Sequence, residues 1–202
     1  MQVLFTTLGF HVKVHRNLTA KEMREKVEAY GRNKHTGVFF LIILSHEASV
    51  NNGVAVIGTD SEAVEVDQLE SSFNDENSPS LQKVPKIFLI DACRGSRTES
   101  TFKPRSHHIK TSYRRLESKS EIQLRSTSSD FAIIFALTSG NGHFTQAFVK
   151  VITEAKATAS LKHIVSKVIS EVKSSDAKKA VEVKFAFNMT RKYFIKRYVH
   201  SF

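Results

Sequence analysis

Several residue types are scarce in this chain, and each scarcity excludes a class of protein. The 202 residues include one cysteine, three prolines and eight glycines. A single cysteine excludes an intramolecular disulfide framework and a zinc site built on cysteines. A reducing, cytoplasmic setting is therefore the default expectation. So few prolines and glycines exclude a fibrous or linker-type chain.

Long hydrophobic runs are also lacking. The longest strongly apolar run, Val38–Leu44, is far shorter than the roughly 20 residues that a transmembrane helix needs. Met1–Phe10 has neither the basic start nor the long apolar stretch of a signal peptide. We therefore expect no membrane association. The hydrophobic content of 41% and charged content of 25% are ordinary for a globular chain, which excludes whole-chain disorder.

Positive charge is concentrated in one stretch of the chain. Arg94–Ser129 holds nine Lys or Arg residues and three Glu. The difference, nine minus three, is a charge of +6, which is more than half of the net charge of +10. The stretch is rich in Ser and Thr and has no long apolar periodicity, so a solvated loop is the expected structure. A nucleic-acid patch is the alternative, but no recognised nucleic-acid motif accompanies the charge.

The rest of the chain alternates patterns typical of helices and strands. Thr19 and Glu22 have the spacing of a capping box, which predicts a helix from Ala20 to Gly31. Three continuous apolar runs are typical of strands buried on both faces of a parallel sheet, namely Val38–Leu44, Lys86–Ile90 and Phe131–Leu137. Further predicted helices are Met1–Leu8, Val66–Phe73, Phe144–Ala155 and Leu161–Val172, and further predicted strands are His11–Val14, Val54–Ile57 and Val181–Phe187. This alternation predicts an α/β fold with a mostly parallel central sheet flanked by helices.

Two residues that can carry chemistry follow predicted strands. His46 comes after the strand at 38–44, and Cys93 comes after the strand at 86–90. Sites in open parallel sheets form beyond the carboxyl ends of the strands, where a thiol and an imidazole can act as nucleophile and base. Taken alone, a cysteine after a strand is more often a small buried hydrophobe, and such a histidine is more often a surface residue.

The sequence around these two residues is more specific. Lys86–Gly95 has the sequence KIFLIDACRG, and the Ser45-His46 pair lies 47 residues before Cys93. A cysteine in an A-C-x-G motif with a histidine about 50 residues upstream is the caspase pattern. The chain resembles the caspase family over nearly its whole length, with further similar segments at 8–19, 58–60, 79–86, 129–140 and 192–194. The resemblance implies an N-terminally truncated or divergent invertebrate member, in which the first strand of the family's sheet is missing.

The resemblance also implies an activity and a domain organisation. Cys93 would attack the scissile carbonyl, His46 would transfer protons, and the amides of Glu47 and Cys93 would bind the oxyanion. Residues 1–95 would correspond to the large subunit, 96–129 to a basic flexible inter-subunit linker and 130–202 to the small subunit, all within one structural domain. The expected partners are a polypeptide substrate or another caspase, with a homo- or heterodimer formed through the last strand. No cofactor, metal or nucleic acid is expected.

Three features depart from the family pattern. The two arginines that recognise a substrate aspartate have no counterpart, and Asp91 replaces the pocket glutamine two residues before Cys93. Two like charges about 4 Å apart cost about 4 kcal/mol at an effective dielectric near 20, so Asp91 opposes aspartate at P1. An acid at this position resembles metacaspases and paracaspases, which prefer a basic P1; alternatively, Asp91 has drifted in an inactive homologue. Glu47 replaces a glycine, which puts the oxyanion hole in question.

Two functional hypotheses follow. The first is a caspase-like cysteine endopeptidase acting in proteolysis or apoptosis-type signalling, with a degraded pocket for aspartate. The alternative is a catalytically inactive caspase homologue that regulates active caspases by binding through the small-subunit interface.

Overall fold

A six-stranded mixed sheet forms the centre of the computed structural model, which describes residues 1–35, 37–50, 53–93, 130–138, 142–175, 182–190 and 192–195. The strands are β1 (Phe39–Val50), β2 (Gly53–Ile57), β3 (Ala63–Glu65), β4 (Lys86–Cys93), β5 (Phe131–Thr138) and β6 (Glu182–Asn188). The helices are α1 (Gln2–Thr7), α2 (Ala20–Arg32), α3 (Val66–Ser71), α4 (His143–Glu154) and α5 (Leu161–Ser175), with a 3₁₀ turn at Pro79–Leu81. The predicted α/β class is confirmed.

The order of the strands in the sheet is β3-β2-β1-β4-β5-β6. The three long apolar strands β1, β4 and β5 lie parallel to one another, while β2, β3 and β6 pair antiparallel to their neighbours. The parallel part of the sheet is therefore its centre, and antiparallel strands extend it on both sides.

The centre of the sheet is buried on both faces, as the continuous apolar runs predict. Alternate residues of β4 face opposite sides: Ile87 and Leu89 join the core with α1, α4 and α5, whereas Phe88 and Ile90 join the core with α2 and α3. All four side chains are fully buried. Helices thus cover both faces of the strands whose ends carry the candidate site residues.

The capping box at the start of α2 is confirmed. The backbone N–H of Glu22 donates to Thr19 Oγ1, and the backbone N–H of Thr19 donates to the Glu22 carboxylate at 2.8 Å. These two bonds satisfy amides that the first turn of a helix leaves without partners. The carboxylate of Asp60 accepts a further N–H, that of Ala20, which ties the helix start to the turn after β2.

The predicted strand at His11–Val14 is wrong, because this segment is neither helix nor strand in the structure. A strand needs a neighbour for its N–H and C=O groups, and no strand of the described part of the chain pairs with these residues. Among the described strands, only β4 pairs with residues Phe39–Ser45 of β1, so the other side of this part of β1 has no described strand beside it.

Two absences can be stated for the described residues. None of the described helices is both long enough and apolar enough to cross a membrane. Within the same residues, His, Cys, Asp and Glu side chains nowhere form a group of three that could hold a metal ion.

Candidate active site

The parallel register of the central strands brings the two expected catalytic residues together. His46 of β1 and Cys93 of β4 are Cα partners in the ladder, and Cys93 is in turn the partner of Thr138 at the end of β5. Neighbouring strands lie about 4.8 Å apart, so His46 and Cys93 are adjacent on the side of the sheet where the parallel pairing of β1 and β4 ends. The backbones of His46 and Cys93 are therefore neighbours, as the sequence leads us to expect. Their catalytic roles stay predictions.

The strands that carry these residues are longer than their apolar runs. His46 lies inside β1, which continues to Val50, and Cys93 is the last residue of β4. The expectation that both follow the ends of their strands is therefore wrong by a few residues. The hydrophobic pattern stops at Leu44, but the ladder with β4 continues through Ser45 and His46. The imidazole of His46 is exposed to solvent.

Glu47 marks the point where β1 changes its ladder partner. Residues up to His46 pair with β4, whereas Glu47–Val50 pair antiparallel with β2, Glu47 lying opposite Val56. Glu47 therefore has an extended backbone in a hairpin and not the conformation of a loop. The expected oxyanion hole, made by the amides of Glu47 and Cys93, stays a prediction.

Asp91 is buried beside α4. Its side chain is 4% exposed, and one carboxylate oxygen accepts two hydrogen bonds from Thr145, from the backbone N–H at 3.2 Å and from Oγ1 at 2.6 Å. Asp91 lies two residues before Cys93 on β4. Its role as part of a substrate pocket stays a prediction, but the carboxylate already has donors from its own chain.

Helix α4 starts close to the same edge of the sheet. It begins at His143, directly after Gly142, whose φ of +62° is in the left-handed region that glycine tolerates. The start predicted from the sequence, Phe144, is one residue later. Residues 139–141, which precede Gly142, lie outside the described residues, as does the whole predicted linker 96–129.

Two residues at this edge were not expected. Thr145 holds the Asp91 carboxylate, although it is 54 positions away in the chain, a separation at which no local motif exists. Leu44, assigned to a buried strand, is the Cα partner of Asp91 and is 58% exposed. Its exposure follows from its place near the end of the ladder, past the helices that cover Phe40 and Ile42.

The family can now be read from comparison with known proteins. A family model described as the caspase domain matches residues 1–195. The chain belongs to the caspase family. It is 35% identical over 98 residues to caspase b of Danio rerio, which covers 47% of this chain and 24% of that protein. It is also 34% identical over 101 residues to cell death protein 3 of Caenorhabditis remanei, covering 49% of this chain and 19% of that protein.

The comparison of folds agrees with this assignment. A solved structure of pro-sf-caspase-1 superposes with a TM-score of 0.70 at 19% identity, covering 98% of this chain and 81% of that one. At this identity the likeness shows the caspase fold. The matched part of this caspase-family chain corresponds to about a quarter or less of the length of the curated relatives named above.

Proposed function

We propose that this chain is a caspase-family cysteine endopeptidase domain in which Cys93 and His46 form the catalytic dyad. Two observations support the proposal. His46 and Cys93 pair in the β1–β4 ladder, and the chain belongs to the caspase family, whose motif contains these two residues. A thiol and an imidazole on adjacent strands are the nucleophile and the proton carrier that acyl transfer needs.

In the proposed reaction, Cys93 gives its proton to His46, and its sulfur attacks the carbonyl carbon of the scissile peptide bond. The amides of Cys93 and Glu47 bind the oxyanion of the tetrahedral intermediate. His46 then protonates the leaving amine as the C–N bond breaks. Water hydrolyses the resulting thioester and releases the acid product, which restores the thiol.

The proposed assembly follows the family. Strand β6 pairs with β5 on one side and is the last strand of the described sheet, so its other edge is the proposed dimer interface. Residues 1–95 and 130–202 are the proposed large and small parts, joined by the basic linker. A polypeptide substrate or another caspase is the proposed partner.

The alternative is a non-catalytic homologue that binds an active caspase through the same interface. The absence of an arginine from residues 139–142, which precede α4, and the engagement of Asp91 by Thr145 favour it. In that case the fold and the β6 edge keep a function while the dyad does not.

Labelling of the thiol tests the proposal. The full chain is incubated with electrophilic peptide ketones of different P1 residues, and the intact mass is recorded. We expect one adduct on Cys93, lost in Cys93→Ala and strongly slowed in His46→Ala. His163→Ala, which removes an exposed histidine of α5, is the matched control and should label at the normal rate. Equal labelling of the His46→Ala and His163→Ala variants would contradict the dyad; no labelling, together with binding to an active caspase, would favour the alternative.

A further inference from the structure

Helix α4 begins without a cap from its own sequence. The first N–H groups of a helix have no intrahelical acceptor, and Ser, Thr, Asp or Asn at the preceding position commonly provides one. Gly142 occupies that position and has no side chain, so no such bond is made there. The first turn of α4 therefore needs an acceptor from another part of the chain.

That acceptor comes from β4. Thr145 is the third residue of α4, and the N–H at this position is one that a capping side chain usually binds. Here the Asp91 carboxylate binds it at 3.2 Å and also accepts the Thr145 hydroxyl at 2.6 Å. A negative charge at a helix N-terminus is further stabilised by the helix dipole.

We propose that Asp91 is a positioning residue, which caps α4 from the neighbouring strand and fixes the first turn of the helix beside the strand end that carries Cys93. Asp91 lies two residues before Cys93, and Thr145 lies seven residues after Thr138, the ladder partner of Cys93. One buried carboxylate thus connects β4 to the element that follows β5. The effect on turnover rests on the proposed endopeptidase function, whereas the cap itself does not.

This role differs from that of a pocket acid. A carboxylate that recognises a basic P1 residue has to be reachable by the substrate, but the Asp91 side chain is 4% exposed and already accepts two hydrogen bonds from Thr145. As a positioning residue it acts through Thr145 on every substrate alike. As a pocket acid it would act on basic substrates selectively.

A double-mutant cycle tests the cap without any need for activity. Asp91→Ala and Thr145→Val are made singly and together, and urea unfolding is followed by circular dichroism. Hydrogen bonds to a charged group are stronger than those between neutral groups, so each single change should lower the folded-to-unfolded ratio about 10- to 100-fold. Asp91→Ala removes both hydrogen bonds and Thr145→Val only that of the hydroxyl, so the double variant should lose little more than Asp91→Ala alone. Thr153→Val, elsewhere on α4, is the matched control and should change the ratio far less, since Thr153 is exposed and bonds within its own helix.

The rate of Cys93 labelling separates the two roles. Asp91→Asn keeps an acceptor oxygen for Thr145 but loses the negative charge, so it should slow the Arg, Asp and neutral P1 probes by one common factor that is smaller than in Asp91→Ala. Thr145→Val should slow all three probes by a similar factor. Additive losses in the cycle, or a loss confined to the Arg probe in Asp91→Asn, would overturn the proposal. If the natural chain fails to label at all, the endopeptidase function fails, while the cycle still decides whether Asp91 caps α4.

Discussion

Resistance of Asp130 to aspartate-specific proteases is the prediction that the structure defines most sharply. Asp130 is the one aspartate between Cys93 and β5, and its side chain is 5% exposed. Its carboxylate accepts the backbone N–H of Thr190 at 2.9 Å and the Thr190 hydroxyl at 2.6 Å, and its carbonyl accepts the N–H of Lys86. Phe131, on the other side of the peptide bond, is fully buried and pairs with both β4 and β6.

The cost of exposing this bond can be worked from those contacts. Bringing Phe131 into water costs about 1.5–3 kcal/mol. Each hydrogen bond to the buried carboxylate adds about 1.5–3 kcal/mol. Together these give roughly 5–9 kcal/mol, or an open fraction of about 10⁻³ to 10⁻⁶, because each 1.4 kcal/mol is tenfold. When opening is fast relative to cleavage, the cutting rate follows this fraction.

The assay compares the folded chain with a peptide of sequence 126–136, both incubated with an active aspartate-specific caspase and followed by mass spectrometry. We expect the folded chain to be cut after Asp130 at least about a thousandfold more slowly than the peptide. Thr190→Val removes one hydrogen bond and should raise the rate about 10- to 100-fold, whereas Thr153→Val should not. Fragments 1–130 and 131–202 appearing from the natural chain as fast as the peptide is cut would refute this reasoning.

Three further predictions concern specificity, the linker and pH. A fluorogenic panel should show weak or no cleavage after Asp, and strong turnover after Asp would contradict the electrostatic reasoning. A preference for Lys or Arg at P1 is expected only if Asp91 acts as a pocket acid and not as the cap of α4. Limited trypsin digestion should cut first between Arg97 and Arg125, and an earlier cut within 1–93 would contradict the assignment of the linker. Burial lowers the pKa of Lys86 below its ordinary 10.5, although the carboxylates of Asp75 and Asp130 oppose the shift. Between the lowered pKa and 10.5 the unfolded chain binds the proton that the folded chain has lost, so the free energy of unfolding should rise with pH in that window. Urea unfolding from about pH 7 to about pH 10 should show this slope, and it should be reduced in Lys86→Met.

The sequence predicts the centre of this fold well because burial determines both its composition and its structure. The runs at 38–44, 86–90 and 131–137 are apolar at every position or nearly so, and each forms a strand. Residues 86–90 and 131–136 are buried, as predicted, whereas 38–44 is only partly buried apart from Ile43 and ends in the exposed Leu44. The capping box at Thr19 is equally local, since both of its partners lie within four residues. Elements that depend on distant partners are predicted less well. His11–Val14 alternates as a strand would, but among the described residues no neighbouring strand completes a ladder with it.

In the candidate site, too, some features could be predicted from the sequence and others could not. His46 and Cys93 can be found from the family motif, and their adjacency follows from the parallel pairing of two apolar strands. The polar residues after Leu44 hide the continuation of β1, so the motif residues were expected beyond the strands and lie within them. The hydrogen bonds of Asp91 and Asp130 have no local signal, because their threonine partners lie 54 and 60 positions away.

These two aspartates show how the second part of the chain is attached to the first. Asp91 of β4 holds the start of α4, Asp130 holds the segment after β6, and between them β4 pairs with β5 residue for residue from Lys86 to Cys93. The middle of this ladder is buried on both faces. Since all these contacts lie outside 94–129, a cut in the linker removes none of them, and its two products should stay bound to each other. A cut in the linker would therefore let the chain next to Cys93 move more freely without releasing a fragment. If such a cut changes the rate of Cys93 labelling, the change has to arise from the local structure of the site.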